Sequence, residues 1–256
     1  MVEDREIVSV EEAAVEPYAT ILCYPRPDIT SVTSRVDQLR ELGVSALEFT
    51  GGLKLGKLSL LGKGVAGTVV VGRTGRKRVA LKIRRIDSRR DSVMHETQML
   101  RIANSIQVGP RYYGSTTDVI LMELVEGHSL PEWLTTLVGK GRRSRARETI
   151  ESLFEQCVRL DSAGLDHGEL SRAHKNVCVT EGGRPVILDF ESASIDRQPK
   201  NLTSIAQYFF MGSGFARRVR RVIGPTDTAR LRETLGAYKS ERSPDAFHRL
   251  QELLRL

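Results

Sequence analysis

The feature that most restricts the fold is a glycine-rich segment followed directly by β-branched residues. Residues 62–67 read Gly-Lys-Gly-Val-Ala-Gly, and residues 68–71 read Thr-Val-Val-Val. A dinucleotide-binding fingerprint requires a helix after its glycines, whereas β-branched residues favour a strand. No Gly-Lys-Ser/Thr closes the segment, which excludes a Walker A loop. The segment therefore predicts either a strand–turn–strand flap that lies close over nucleotide phosphates or a hairpin without a ligand.

Hydrophobic patterning divides the chain into two parts. From residue 58 to residue 125, short β-prone runs separated by turns predict antiparallel strands, with one helix over about residues 91–103. Beyond Gly127 the pattern is mainly helical, with a β-hairpin over residues 177–190 and three helices over residues 201–256. This order predicts an α+β fold in which a small β-rich lobe precedes a helical lobe.

Three further segments are described by their patterns alone. Apolar residues at helical spacing predict a helix over residues 31–42, and a short strand-like run follows at residues 46–49. Neither matches a motif that we can interpret, and they either cap the β-rich lobe or mediate docking. Residues 139–147 read as an arginine-rich linker.

Composition limits the class of protein. The 256 residues carry 39 Lys and Arg against 32 Asp and Glu, and 40% are hydrophobic, which is typical of a globular protein. Three cysteines cannot all pair within the chain, which favours a reducing, cytoplasmic setting. No apolar stretch has the length of a membrane helix, and the polar start does not resemble a signal peptide. We therefore expect a soluble cytoplasmic protein with no membrane partner.

Lys82 lies inside the apolar run Val79–Ile83, fifteen positions after the third glycine. A lysine in a strand is commonly solvated, but here the apolar neighbours predict burial. A buried ammonium group requires an anionic partner. Glu96, on the predicted helix that follows, is the candidate.

These features resemble the protein-kinase superfamily over most of residues 58–210. Residues 62–69 are similar to its Gly-rich loop, Lys82 to the lysine of its Val-Ala-Ile-Lys motif, Glu96 to the helix-C partner of that lysine, and residues 122–127 to its gatekeeper and hinge. Several motifs in the expected order are more specific than any one of them.

The resemblance implies ATP as the cofactor, with the adenine edge held by the backbone of Glu123 and Val125. The nucleotide-binding residues that it implies are Gly62, Gly64, Gly67, Val69, Ala80, Lys82, Glu96, Met122, Glu123 and Val125.

His167-Gly168-Glu169-Leu170-Ser171 stands where kinases have His-Arg-Asp-Leu-Lys. Phosphoryl transfer needs a carboxylate that orients the attacking hydroxyl, and cations that neutralise the phosphates. By position, Glu169 is the candidate catalytic base, acting with Lys82 and Asp189. Gly168 removes the arginine that a phosphorylated activation loop normally neutralises, so we expect activity that is independent of that switch.

Asp189-Phe190-Glu191 resembles Asp-Phe-Gly, whose aspartate binds magnesium. Asn176 is the candidate second ligand, because it immediately precedes a predicted strand as the family asparagine does. His174 has the usual spacing from the catalytic position, but a nitrogen donor suits Mg²⁺ poorly. Mn²⁺ is the other candidate cation. Glu191 replaces the flexible glycine and predicts a fixed geometry.

No Ala-Pro-Glu segment follows residue 191. This reduction resembles the atypical branch, which includes the RIO kinases, the small kinase of the KEOPS complex and, most similar, small archaeal proteins predicted to be serine/threonine kinases. We expect a bilobal protein-kinase-like fold with an N-terminal extension over 1–57 packed on or near the N-lobe, an N-lobe with helix C over 58–123, and a reduced C-lobe over 124–256.

Two alternatives remain. Because Gly168, Glu169 and Glu191 all depart from the family pattern, the chain could be a nucleotide-binding pseudokinase or a regulatory ATPase instead of a serine/threonine protein kinase. The arginine run could also bind RNA or a ribonucleoprotein, although a solvated helix face is the commoner explanation of such a run. The residues concerned are Arg217, Arg218, Arg220 and Arg221.

Overall fold

A computed structural model describes residues 5–212 and 214–256. It is a mixed α+β structure with about 45% helix, 20% strand and an antiparallel sheet. The chain divides into two compact units, one containing the residues up to Gln98 and Arg111–Leu124, the other Met99–Pro110 and Val125–Leu256. Within the described ranges, no helix combines the length and the apolar character that a membrane span requires.

The first unit is built on an antiparallel sheet in the order β1-β2-β6-β7-β9-β8, with β5 paired to β6 and a separate β3–β4 hairpin. The strands of this unit are β1 (Glu6–Ser9), β2 (Ala46–Phe49), β3 (Leu53–Leu55), β4 (Leu58–Leu60), β5 (Gly62–Lys63), β6 (Gly67–Thr74), β7 (Lys77–Arg84), β8 (Tyr112–Ser115) and β9 (Val119–Glu123).

The strands form where β-branched and other apolar residues lie on the pleated surface. In the pair β6–β7, Val69 is opposite Lys82 and Val71 is opposite Ala80. Gly75, with φ +58°, makes the tight turn between the two strands. These are the runs that the sequence predicts as strands, and their pairing confirms an antiparallel arrangement.

Three helices accompany these strands: α1 (Ala19–Leu22), α2 (Ile29–Glu41) and α3 (Met94–Ser105). Asp28 caps α2, because its carboxylate accepts a hydrogen bond from the Ser31 backbone at 3.0 Å. The division between the two units falls within α3. The predicted helices over 31–42 and about 91–103 are therefore confirmed, with boundaries shifted by one to three residues.

The N-terminal segment belongs to this sheet and its core. Strand β1 pairs with β2, and β2 pairs with β6. At the other end of the sheet strands, the Asp118 carboxylate accepts a hydrogen bond from Arg84 at 2.6 Å and forms an ion pair with the buried Arg35, also at 2.6 Å. A charged residue of α2 is thus fixed to the end of β7 and the start of β9.

The second unit is mainly helical. Its strands β10 (His128–Ser129), β11 (Val177–Val179) and β12 (Pro185–Ile187) form one small antiparallel sheet. Its helices are α4 (Leu130–Thr136), α5 (Arg142–Ser162), α6 (Ala173–Asn176), α7 (Asn201–Phe210), α8 (Gly214–Ile223), α9 (Thr228–Glu241) and α10 (Pro244–Leu254).

Two expectations for this unit are wrong. Four helices, not three, occupy the described part of residues 201–256. The arginine-rich segment is also not a linker throughout, because α5 begins at Arg142. Arginine has a high helix propensity, and the charged first turns of α5 lead directly into its apolar stretch.

The core of the second unit forms around α5. Ile150, Leu153, Phe154 and Cys157 are buried on one face, as their helical spacing predicts. The ring of Phe154 meets the rings of Phe209 and Phe210 edge-on, with centroids 6.3 Å apart in each pair. Burial raises the pKa of Cys157 well above its usual value, so this thiol is a core group.

Asp161, near the end of α5, binds the first turn of α7. Its carboxylate accepts from the backbone of Asn201 at 2.8 Å and of Leu202 at 3.2 Å, and from the Asn201 side chain at 2.8 Å. The Tyr238 hydroxyl of α9 donates to the same carboxylate at 3.1 Å. One buried acid thus caps α7 from forty residues away in the sequence.

Candidate functional site

Lys82 and Glu96 form a buried ion pair within the first unit. Lys82 lies on β7 and Glu96 in the first turn of α3. The Nζ atom of Lys82 is 2.8 Å from the Glu96 carboxylate, and each side chain is only 9% exposed. Two desolvated charges are tolerated because each satisfies the other. The structure therefore brings together two residues that the sequence places fourteen positions apart.

The glycine segment lies beside this pair. Gly62 pairs with Val69, and the Gly64 backbone donates to the Gly67 carbonyl at 2.7 Å, which closes a hairpin between β5 and β6. A Cβ atom on Gly67 would lie 2.9 Å from the Ile83 carbonyl oxygen and 3.4 Å from Cγ of Lys82. Glycine is therefore required at position 67 because the neighbouring strand is so close.

Tyr24, which precedes α2, contacts the same hairpin, although no motif in the sequence points to it. Its hydroxyl accepts from Lys63 Nζ at 2.7 Å, and Lys63 and Arg85 lie over its ring at 4.0 and 4.7 Å from the centroid. The Arg85 side chain also donates to the Gly64 carbonyl at 3.2 Å. A tyrosine and two cations thus hold the glycine segment in position.

The other predicted nucleotide-binding residues of this unit lie on adjacent strands. Ala80 is opposite Met122, and the Glu123 backbone donates to the Arg111 carbonyl at 2.8 Å. Ala80 is buried, whereas Val69, Met122 and Glu123 are partly exposed. Val125 belongs to the second unit.

In the second unit, hydrogen bonds link Glu169 to Asn176, and Asn176 to the residue that precedes Asp189. The Asn176 amide donates to the Glu169 carbonyl at 3.2 Å. The backbone of Leu188, which precedes Asp189, donates to the Asn176 carbonyl at 2.8 Å. The Glu169 carboxylate accepts from the Ser192 hydroxyl at 2.8 Å, which fixes its orientation.

Asp189 has an unusual backbone conformation. Its φ is +64°, in the left-handed region that non-glycine residues rarely adopt. Such a conformation costs on the order of 1–3 kcal/mol and persists where the surroundings enforce it. The next residue, Phe190, is buried, and its ring meets the His167 ring with centroids 5.1 Å apart. The exposed Asp189 carboxyl therefore lies next in sequence to a residue whose side chain is buried.

His167 is buried and neutral, and its ring contacts the backbone of two residues near this cluster. Its Nε2 donates to the Leu188 carbonyl at 2.9 Å, and its Nδ1 lies 3.4 Å from the Glu169 backbone N–H. Burial lowers the pKa of His167, although the Leu188 carbonyl and the nearby carboxylates act in the opposite direction. The geometry agrees with the predicted structural role of this residue.

Gly168 has φ +86°, and a Cβ atom there would lie 2.7 Å from Nη2 of Arg197 and 2.9 Å from the Ser192 carbonyl oxygen. Arg197 itself donates to that oxygen at 2.6 Å and is 3.1 Å from the Asp166 carboxylate. The space next to Gly168 is therefore occupied by the guanidinium group of Arg197.

The donor set around Asp189 suits a hard divalent cation. Asn176 is 4% exposed. Its Nδ2 donates to Glu169, which leaves Oδ1 as the atom able to bind a cation, and the carboxylate of Asp189 is the second oxygen donor. His174 instead is exposed, and its ring stacks on Tyr208 with centroids 6.2 Å apart. The residues present thus fit Mg²⁺ through Asp189 and Asn176 better than through His174.

The arginine run lies on α8 and is not a uniform surface. Arg218 donates to the Pro131 carbonyl at 3.0 Å and Arg220 to the Phe210 carbonyl, at the end of α7, at 3.1 Å. Arg217 and Arg221 are exposed. Two members of the run therefore stabilise the fold, and the other two face solvent.

No protein-family model matches the chain, and no curated protein matches it either. A function must therefore be inferred from the residues of the chain itself and from the geometry described above.

Proposed function

We propose that the chain is an atypical, ATP- and Mg²⁺-dependent serine/threonine protein kinase with a bilobal kinase-like fold. It transfers the γ-phosphoryl group to a serine or threonine hydroxyl of itself or of a partner protein. The buried Lys82–Glu96 pair beside the glycine hairpin is the observation that supports this most strongly. A buried lysine on a central strand, with its charge balanced, is a suitable phosphate ligand.

The proposed mechanism gives each residue one role. Lys82, oriented by Glu96, binds the phosphates, and the backbone of residues 62–67 covers them. Mg²⁺, bound by Asp189 and Asn176, would neutralise negative charge on the phosphates. Glu169, held by Ser192, orients the acceptor hydroxyl and takes its proton.

One observation favours the alternative of a nucleotide-binding pseudokinase or regulatory ATPase. The Glu169 carboxylate already accepts a hydrogen bond from Ser192 at 2.8 Å, so one of its oxygens is engaged within the protein. A protein of either alternative class would use Lys82 and Glu96 in the same way to bind ATP, but would form no phosphoserine or phosphothreonine.

The decisive experiment follows radiolabel from γ-labelled ATP into protein with the full chain and magnesium, together with the release of inorganic phosphate. Asp189→Asn and Glu169→Gln should each lower the transfer rate by at least about a hundredfold, because charge neutralisation and hydroxyl orientation dominate the chemistry. Asp196→Asn is the matched control, since this exposed acid lies on the same segment and its replacement should leave the rate unchanged.

Different outcomes separate the proposals. ATP binding without any transfer in the wild type would replace the kinase with a pseudokinase, and phosphate release without protein labelling would indicate an ATPase. Absence of ATP binding in a folded wild-type protein would reject all three.

A further inference from the structure

The second unit contains a cavity of about 660 Å³ whose lining includes none of the residues assigned a role in the proposed kinase. Its walls come from α5, α9 and α10, from the C-terminal end of α8 and from the loop that joins α8 to α9. Five arginines line it: Arg143, Arg147, Arg230, Arg249 and Arg255. Residues from distant parts of the chain thus concentrate positive charge in one concave surface.

The two acidic residues in the lining, Asp227 and Glu252, neutralise only part of the charge of the five arginines. Asp227 caps α9, since its carboxylate accepts from the backbones of Ala229 at 3.0 Å and Arg230 at 3.1 Å. Glu252 lies 3.5 Å from the His248 ring nitrogen. Arg249 pairs with Glu241, which does not line the cavity. An excess of guanidinium groups over available carboxylates remains.

Several donors of these arginines have no acceptor. Nη2 of Arg147 donates to the Ile223 carbonyl at 3.3 Å, yet its Nε is buried and, within the described part of the chain, has no hydrogen-bond partner. The guanidinium groups of Arg230 and Arg255 likewise form no hydrogen bond or ion pair with any described residue. Buried donors without acceptors, such as Nε of Arg147, are rare in folded proteins. A bound oxyanion would supply an acceptor for this atom and for the exposed guanidinium groups of Arg230 and Arg255.

We propose that this cavity binds a small, multiply charged phosphate-bearing anion, such as an inorganic di- or triphosphate. Guanidinium groups match the geometry of phosphate oxygens, and the volume lies in the range of small-molecule sites. The lining contains no aromatic side chain on which a base could stack, which favours a compact anion over single-stranded RNA. This proposal does not depend on the proposed kinase activity.

The test is a calorimetric titration of the full chain with tripolyphosphate at fixed ionic strength. One variant combines Arg230→Gln with Arg255→Gln, which are exposed positions whose replacement should leave the fold intact. The matched control combines Arg217→Gln with Arg221→Gln, which removes the same charge from exposed positions outside the cavity. We expect at least about tenfold weaker binding in the cavity variant and a change within about twofold in the control.

Four results would overturn the proposal. They are absence of tripolyphosphate binding by the wild type, unchanged affinity in the cavity variant, an equal loss in both variants, and tighter binding of a single-stranded RNA oligonucleotide that depends on Arg230 and Arg255. The third would indicate a diffuse charge effect, and the fourth a nucleic-acid surface. Tripolyphosphate binding that remains in the cavity variant is assigned to other sites. Only the affinity lost with Arg230 and Arg255 is evidence for the cavity.

Discussion

At the scale of single residues, removing one partner of the Lys82–Glu96 pair should lower the stability of the protein. Replacing Lys82 by Met leaves the Glu96 carboxylate in a place where it is 9% exposed and has lost its cation. We expect a loss of about 3–5 kcal/mol in the free energy of unfolding, because a buried carboxylate loses the ammonium group with which it pairs. Urea denaturation of the wild type and the variant measures this loss.

The double variant Lys82→Met with Glu96→Leu separates the two contributions. It removes both charges and should recover most of the lost stability, since apolar residues can replace a buried pair at little cost. Arg40→Gln, which breaks an exposed pair with Glu11, is the control and should change little. A double variant as unstable as the single one would contradict this explanation.

His167 should make stability depend on pH in the weakly acidic range. Burial lowers the pKa of His167 in the folded protein below its ordinary value of about 6.5, so the unfolded chain binds a proton more readily. The stability that the neutral ring provides is complete above about pH 6.5 and is lost as the pH falls below it, with a slope of up to about 1.4 kcal/mol per pH unit.

The measurement is the free energy of unfolding between about pH 7 and pH 5.5. His167→Gln retains a donor for the Leu188 carbonyl and should remove this slope, whereas His248→Gln, at an exposed position, should retain it. An identical slope in wild type and His167→Gln would assign the titration to other groups.

At the scale of elements, the glycine hairpin depends on a residue from outside its own strands. Tyr24→Ala removes the ring beneath Lys63 and Arg85 and the acceptor of the Lys63 hydrogen bond. We expect the backbone amides of residues 64–67 to exchange hydrogen about tenfold faster, because roughly 1–2 kcal/mol of local stabilisation is lost.

Tyr24→Phe keeps the ring and should give an intermediate rate, which hydrogen-exchange mass spectrometry resolves. Tyr113→Ala is the control, because that side chain is 50% exposed. Equal exchange in all four proteins would show that the strand pairing alone holds the hairpin.

The start of α7 depends on a single remote acid. Asp161→Ala leaves the backbone N–H groups of Asn201 and Leu202 without their acceptor inside the unit, and we expect a loss of about 3 kcal/mol or more. Tyr238→Phe removes only one of the bonds to Asp161 and should cost about 1 kcal/mol. Thermal or urea unfolding tests the ranking, and a reversed order would contradict the capping role.

At the scale of the whole molecule, the sequence predicted individual strands and helices better than it predicted which distant segments pair. Strand β2 and the pair β6–β7 could be predicted because β-branched and apolar runs act over a few residues. Strand β1 pairs with β2 across about forty residues, and no short pattern specifies such a partner. Long-range contacts are decided by packing, which is why the N-terminal segment could not be interpreted.

The same distinction holds for the candidate site. The apolar neighbours of Lys82 predicted its burial and hence an anionic partner, and Glu96 on the following helix forms the expected ion pair. Neither Tyr24 nor Ser192 was found, since a tyrosine in an irregular segment and a serine in a loop carry no signal of their own. The roles of Glu169, Asn176 and Asp189 remain predictions that the proposed kinase assays test.

The charge of the molecule also gives a prediction for RNA. With a net charge of +7, weak and salt-dependent binding is expected, and only Arg217 and Arg221 of the α8 run are exposed. Arg217→Gln with Arg221→Gln should lower the dependence of log affinity on log salt for single-stranded RNA by about 1.4.

Fluorescence anisotropy at several salt concentrations measures that slope. Arg26→Gln with Arg76→Gln removes equal charge from exposed positions of the first unit and is the control. A similar decrease in both variants would show that net charge alone, and not α8, determines the affinity.

The backbone at Gly168 limits how this loop can change by substitution. The conformation at φ +86° and the contact with Arg197 leave no space for even a methyl group. No other residue can therefore replace Gly168 by a simple exchange, because the Arg197 guanidinium would have to move and the positive φ would remain unfavourable for any L-residue. Variation at position 168 is therefore coupled to position 197, and shortening Arg197 alone would not suffice, since the carbonyl oxygen of Ser192 would still lie 2.9 Å from the added Cβ atom.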